Sequence, residues 1–134
     1  MSKAVIFDLF GVIWNGEVRG VDPRFKELLV ELKSNYKIGV ITNDTLIRVS
    51  KILDSGGISD LCDCVVVSDE LGMAKPQAGI YIEALKQLEA EAEQCIFIDD
   101  MAINTEAAEG IGMRTIIYSG YDQFYDELKV LLDQ

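Results

Sequence analysis

Asp8, Asp99 and Asp100 are the residues whose chemistry the chain could most readily combine. Each stands just after a short apolar run: Asp8 after residues 4–7, Asp99-Asp100 after residues 95–98. Carboxylates brought close together raise one another's pKa unless a cation sits among them. A hard divalent ion with oxygen ligands relieves that repulsion, and Mg²⁺ is the usual choice beside phosphate. Thr42-Asn43-Asp44 follows another apolar run, and Ser68-Asp69 a further one. Lys75 lies in Gly72-Met73-Ala74-Lys75-Pro76. The residue before proline is held extended, and Pro76 can open a helix whose N-terminus attracts anions. Each residue taken alone has a plainer use. A single Asp after a strand commonly caps the next helix, as Asp100 could, and a Lys-Pro pair is ordinarily a solvated lysine. Capping accounts for one aspartate but not for the whole set in this order.

These residues need a frame that brings them to one place. Five apolar runs, at residues 4–7, 38–41, 64–67, 95–98 and 115–118, are rich in Val and Ile and apolar on both faces. Strands buried inside a parallel sheet have that composition. Amphipathic stretches lie between them. Phe25, Leu28, Leu29 and Leu32 repeat at helical spacing after Asp22-Pro23, a cap followed by a first-turn proline. Leu46, Val49, Ile52 and Leu53 form a second stripe, ended by Gly56-Gly57. Tyr81, Ala84, Leu85 and Leu88 form a third; Ile103, Ala107 and Ile111 a fourth, ended near Gly110 or Gly112; Phe124, Leu128, Leu131 and Leu132 a fifth.

Strand and helix alternating in this way predict an α/β fold, a parallel sheet with helices on both faces. Ligands bind beyond the carboxyl ends of such strands, where the strand order reverses. If strands one and four are neighbours, Asp8 faces Asp99 and Asp100. Residues 11–20 break the alternation. Ile13-Trp14, Asn15-Gly16 and Glu17-Val18 read as a small hairpin with a tight Asn-Gly turn just beyond strand one. Trp14 on it either meets a substrate or partner or folds back as local packing.

The 134 residues fit one domain, 1–134, large enough for a core without disulfides or metal staples. Hydrophobic residues make up 49% and charged residues 26%, which argues against disorder. The net charge of −11 repels nucleic acid and anionic membrane, so neither is an expected partner. It also disfavours a free anionic substrate unless a cation occupies the site. Cys62, Cys64 and Cys95 are odd in number, and two of them enter apolar runs. They read as reduced core thiols, and a Cys-x-Cys pair without His is a poor zinc site. The first apolar run stops at Asp8, too short for a signal peptide or a membrane span, so the expected location is cytoplasmic.

Four segments together resemble the motifs of the haloacid dehalogenase-like (HAD) superfamily. Val5-Ile6-Phe7-Asp8-Leu9-Phe10-Gly11-Val12 resembles the first, Val40-Ile41-Thr42-Asn43 the second and Lys75-Pro76 with Tyr81 the third. Ile96-Phe97-Ile98-Asp99-Asp100 with Asn104, Ala107 and Gly110 resembles the fourth. The likeness runs in order from residue 4 to about 118. It implies a Rossmann-like three-layer sandwich with a five-stranded parallel sheet of order 5-4-1-2-3. It also implies a phosphatase-type hydrolase in which Asp8 is the nucleophile and becomes an aspartyl-phosphate. Asp8 and Asp100 would hold Mg²⁺ with the Phe10 carbonyl, and Asp99 belongs to the same metal site, orienting it with Asn104. Thr42 would bind a phosphoryl oxygen. Lys75 would neutralise charge on Asp8 and the phosphoryl group, and Phe10, Gly11 and Asn43 complete the substrate-binding set.

Two features depart from the family pattern. Phe10 stands where family phosphatases usually carry a second Asp, the general acid/base, whose loss typically costs about 10²–10⁴-fold in rate. Good leaving groups need it less, the chain has no His to replace it, and Asp44 and Glu17 are the nearest guesses. Family dehalogenases also carry an aromatic residue here. The second departure is size. Caps in this family are inserted between Asp8 and Thr42 or between Thr42 and Lys75, intervals of only 34 and 33 positions here. A capless, open site is therefore expected, roofed only by the hairpin. It suits a phosphorylated small molecule or macromolecule as substrate, the latter bringing its own cover, or a homodimer in which one subunit roofs the other. An alternative is a phosphoryl-binding or protein-interaction module that kept the site but lost turnover, which Phe10 favours. Dehalogenation of a small haloacid fits least, because such a substrate needs enclosure and the metal-site acids would have no role.

Overall fold

The computed structural model describes residues 2–133. Its main sheet contains β1 (Ser2–Phe7), β4 (Lys37–Thr42), β5 (Cys64–Val67), β6 (Ala90–Asp99) and β7 (Arg114–Ile117). A separate hairpin pairs β2 (Trp14–Asn15) with β3 (Gly20–Val21). The helices are α1 (Pro23–Leu32), α2 (Leu46–Ser55), α3 (Ser68–Leu71), α4 (Ala78–Leu88), α5 (Ala102–Gly110) and α6 (Tyr121–Leu132). The sheet runs β5-β4-β1-β6-β7, with every neighbouring pair parallel. Numbered without the two hairpin strands, this is the expected 5-4-1-2-3 order read from the other edge.

Side chains alternate across β1, so each face of the sheet has its own core. Val5 and Phe7 join Phe25 and Leu29 of α1, Val49 of α2 and Phe124 of α6. Ala4 and Ile6 join Tyr81 and Leu88 of α4 and Ala108 of α5. Both cores are aromatic at their centres: Phe25 stacks on Phe124 at 5.5 Å, and Tyr81 meets Phe97 edge-on at 5.4 Å. Burying each such ring contributes roughly 1.5–3 kcal/mol, so the strands that carry the site are firmly fixed. Asp22 caps α1 through Arg24 N, as the Asp-Pro pair predicts. Cys64 and Cys95 are buried free thiols and Cys62 is a half-buried one. Among the described residues no helix is long and apolar enough to cross a membrane.

Two local expectations need correction. The hairpin does not turn at Asn15-Gly16. Trp14 pairs with Val21 and Asn15 with Gly20, leaving residues 16–19 as the connection. Asn15 is buried, and its amide donates to Val12 O and Asp22 Oδ2, so it ties the loop to the α1 cap. The stripe of α5 is displaced by one residue: Ile103 is exposed, whereas Asn104, Thr105 and Ala108 are buried. Ser68 and Asp69 follow β5 as expected, and they open α3. No domain interrupts the described chain between Asp8 and Lys75; the hairpin, three helices, two strands and a 3-10 turn at Ser59–Leu61 fill it.

Candidate active site

The register of β1 on β6 builds the site. Phe7 lies opposite Ile98, so the next residues, Asp8 and Asp99, stand side by side at the carboxyl end of the sheet. Asp8 keeps that pairing through its N–H to Ile98 O at 2.9 Å. Both aspartates are buried, and the Lys75 ammonium lies between them, 2.7 Å from Asp8 Oδ1 and 2.8 Å from Asp99 Oδ2. The side chain of Lys75 is only 2% exposed, so this is a fixed ion triad and not a surface pair.

Other elements hold the triad in place. Asn43, one residue past β4, donates from Nδ2 to Lys75 O at 3.0 Å and accepts from Lys75 N at 2.8 Å. Its amide is therefore occupied in positioning Lys75, although it also lines the cleft. Asp99 Oδ1 accepts from Met101 N, and Oδ2 accepts from Asn104 Nδ2 at 3.1 Å. The Asn104 carbonyl in turn accepts the Tyr81 hydroxyl at 2.9 Å, linking α4 to α5. This chain of hydrogen bonds explains the phase of α5: Asn104 must face Asp99, and Ile103 then faces solvent.

Asp100 is more exposed and lies against Gly11. Gly11 has φ +98°, and a Cβ there would collide with the Asp100 carboxylate. Its N–H donates to Trp14 O at 2.7 Å. Gly11 thus provides room for Asp100 while its own amide serves the hairpin. Oxygen atoms of Asp8, Asp99 and Asp100 all lie within 4.8 Å of one another. Burial pushes the Asp8 carboxyl up to about 7; the Lys75 ammonium works against that rise, while Asp99 and Asp100 add to it. Asp100 is raised too, first by burial and then by Asp99 beside it. Burial is the main physical reason, and three carboxylates sharing one ammonium add to it.

A cleft of about 180 Å³ opens on this cluster. Asp8, Phe10, Thr42, Asn43, Lys75 and Asp100 line it, joined by Met101 and Asn104. Six of the sequence-predicted residues therefore meet in the cleft; Asp99 is buried beside Lys75, and Gly11 lies against Asp100 outside the lining. Glu17 and Asp44 are not among them. Glu17, in the hairpin connection, pairs with Arg24 of α1, and Asp44 Oδ1 accepts from Thr45 N. Trp14 is half-buried and packs on Phe10 with ring centroids 6.0 Å apart. Two neighbours of the cleft went unnoticed in the sequence: Met101, and Arg48, whose guanidinium carbon lies 4.7 Å from the Phe10 ring centroid. An arginine in the first turn after the second sheet strand was the available signal for Arg48.

The comparisons with known proteins agree with this fold. The family model described as haloacid dehalogenase-like hydrolase matches residues 17–118, most of the chain. A phosphatase of Mycobacterium tuberculosis is 33% identical over 95 residues, covering 70% of this chain and 44% of the relative. The chain thus spans less than half the length of that relative. Among solved structures, a predicted HAD-like family hydrolase from Porphyromonas gingivalis superposes with a TM-score of 0.82 at 16% identity, covering 100% of this chain and 99% of that one. A HAD family enzyme from Bacteroides thetaiotaomicron, an aspartate-to-alanine variant in complex with magnesium and inorganic phosphate, gives a TM-score of 0.77 at 16% identity, with 89% and 95% coverage. By sequence match, sheet order and fold, the chain belongs to the haloacid dehalogenase-like hydrolase family.

Proposed function

We propose that the chain is a Mg²⁺-dependent, phosphatase-type hydrolase with an open site, working through an aspartyl-phosphate on Asp8. The observation that carries the reading is the Lys75 ammonium fixed between Asp8 and Asp99, with Asp100 in reach of both carboxylates. The family match begins after Asp8, so the role of Asp8 rests on this geometry and on the motif around it. The similarity to a phosphatase and the magnesium and phosphate in a structural neighbour support the same assignment.

The donor set fits a hard divalent cation. It consists of carboxylate oxygens, and one ammonium leaves it with excess negative charge. Asp8, Asp100 and the Phe10 carbonyl would hold Mg²⁺, with Asp99 locking the arrangement from below through Lys75 and Asn104. When bound, Mg²⁺ supplies charge stabilisation for the phosphoryl oxygens. Asp8 attacks phosphorus, Lys75 favours the ionised form of Asp8 and meets the charge that grows on the phosphoryl group, and Thr42 donates its hydroxyl to a phosphoryl oxygen. The substrate is a phosphorylated small molecule or an exposed phosphoryl group of a macromolecule.

Hydrolysis of p-nitrophenyl phosphate tests the reading, since that leaving group needs no proton. Phosphate release that requires Mg²⁺ and stops with EDTA is expected. No release, together with Mg²⁺ binding, would favour the phosphoryl-binding module that Phe10 suggests.

Stability should respond to pH and metal together. Without metal, the folded state holds the Asp8 proton more tightly than an unfolded aspartate titrating at 3.8. The contribution of this group is therefore intact below about pH 4 and is lost as pH rises through about 7. At roughly 1.4 kcal/mol per pKa unit, the loss amounts to a few kcal/mol. A cation among the carboxylates opposes it. Millimolar Mg²⁺ is expected to raise Tm by roughly 5 °C more at about pH 8 than at about pH 5. Equal increments at both pH values would contradict the site.

A further inference from the structure

Asp8 and Lys75 provide for the phosphoryl end of the reaction, but the leaving-group end is unusual. Phe10 lines the cleft two residues after Asp8, and the carboxylates lining it among the described residues are Asp8 and Asp100. The chain has no His. Departure of an alkoxide is slow without a proton donor. Departure of a phosphate needs no proton, because a phosphate monoester is already a stable anion near neutral pH. It needs a cation instead.

Such a cation stands beside the cleft. Arg48 rests its guanidinium on the Phe10 ring at 4.7 Å. Its Nη1 is 3.7 Å from Asp44 Oδ2, beyond hydrogen-bond length, and the side chain is 64% exposed. The planar fork is therefore oriented by the ring yet has donors to spare for a phosphate. In a chain of net charge −11, a cation in this position offsets a field that would otherwise repel a polyanion. Phe10, which cannot act as an acid, serves as its platform.

We propose that the substrate is a phosphoanhydride cleaved at its terminal phosphoryl group, with Arg48 on Phe10 neutralising the departing phosphate. This narrows the phosphatase reading above and rests on it. An Asp8 oxygen forms a bond to the terminal phosphorus while the bond from phosphorus to the bridging oxygen breaks. The electron pair leaves on that oxygen, as a phosphate or a phosphate monoester, with no proton added. Water then attacks phosphorus of the aspartyl-phosphate, the Asp8 carboxylate leaves with its electron pair, and both protons of the water depart with inorganic phosphate.

The test compares inorganic pyrophosphate and ADP with AMP, using p-nitrophenyl phosphate as the reference, in wild type and Arg48→Gln. In wild type, kcat/KM for the anhydrides should exceed that for AMP by about 10²-fold or more. In Arg48→Gln the anhydride-to-aryl ratio of kcat/KM should fall by about 10- to 100-fold. Hydrolysis of p-nitrophenyl phosphate with AMP cleaved as well as ADP, or with that ratio unmoved in Arg48→Gln, would overturn the inference and leave the phosphatase reading standing. Failure to release phosphate from p-nitrophenyl phosphate would overturn both.

Discussion

Phe10→Asp is expected to raise turnover of an alkyl phosphate monoester by about 10²–10⁴-fold, while turnover of p-nitrophenyl phosphate changes by less than about tenfold. The ring of Phe10 lines the same cleft as Asp8 and Lys75, so a carboxyl there faces the leaving group. Asp8 already has its nucleophilic setting from Lys75, and the missing function is proton donation. An alkoxide benefits fully from a proton and a nitrophenolate hardly at all, which is why the two substrates should separate. The new side chain gives up the Trp14 and Arg48 contacts with the ring. Removing a half-buried aromatic ring costs about 1–3 kcal/mol of stability, so the variant's Tm must be checked alongside its kinetics. Equal gains on both substrates, or none on either, would show that proton transfer to the leaving group is not the limiting defect.

Lys75→Met should be the most damaging single change for the fold as well as the site. Lys75 is the shared partner of Asp8 and Asp99, at 2.7 and 2.8 Å, with almost no solvent contact. Removing one member of a buried ion network typically destabilises by about 3–5 kcal/mol, because the charges left behind lack compensation. The sign with pH follows from Asp8. Lys75 is the main influence lowering its carboxyl, so the variant's Asp8 titrates above about 7. Metal-free Lys75→Met should therefore lose least stability at about pH 5, where Asp8 is protonated anyway, and most at about pH 8. Mg²⁺ should restore part of the loss. Urea unfolding measures all three arms, and a loss below about 1 kcal/mol at the higher pH would mean that the triad is not what holds these loops.

The parts of the fold legible in the sequence were those governed by burial over several residues. The runs through Ile6, Val40, Val66 and Phe97 are buried strands, as short Val- and Ile-rich segments apolar on both faces are inside a parallel sheet. Asp22-Pro23 fixed one helix start through a single local hydrogen bond. The meeting of Asp8 with Asp99 was legible once strands one and four were neighbours, since register then leaves no freedom. What escaped was set by polar contacts between distant segments. Asn15 has a turn-former's side chain, yet the Asp22 carboxylate and Val12 O draw it inward. Ile103 has the apolar character expected of the core, yet the amide of Asn104 is needed by Asp99. The stacking of Arg48 on Phe10 joins residues 38 positions apart through a contact with no sequence periodicity.

The central claim is that Asp8 becomes phosphorylated. The direct measurement is mass spectrometry of the peptide containing Asp8, after rapid acid quench of the enzyme turning over p-nitrophenyl phosphate with Mg²⁺. A phosphoryl adduct on that peptide in wild type, absent from Asp8→Asn together with phosphate release, is the predicted result. Phosphate release that persists in Asp8→Asn, with no adduct in wild type, would contradict it.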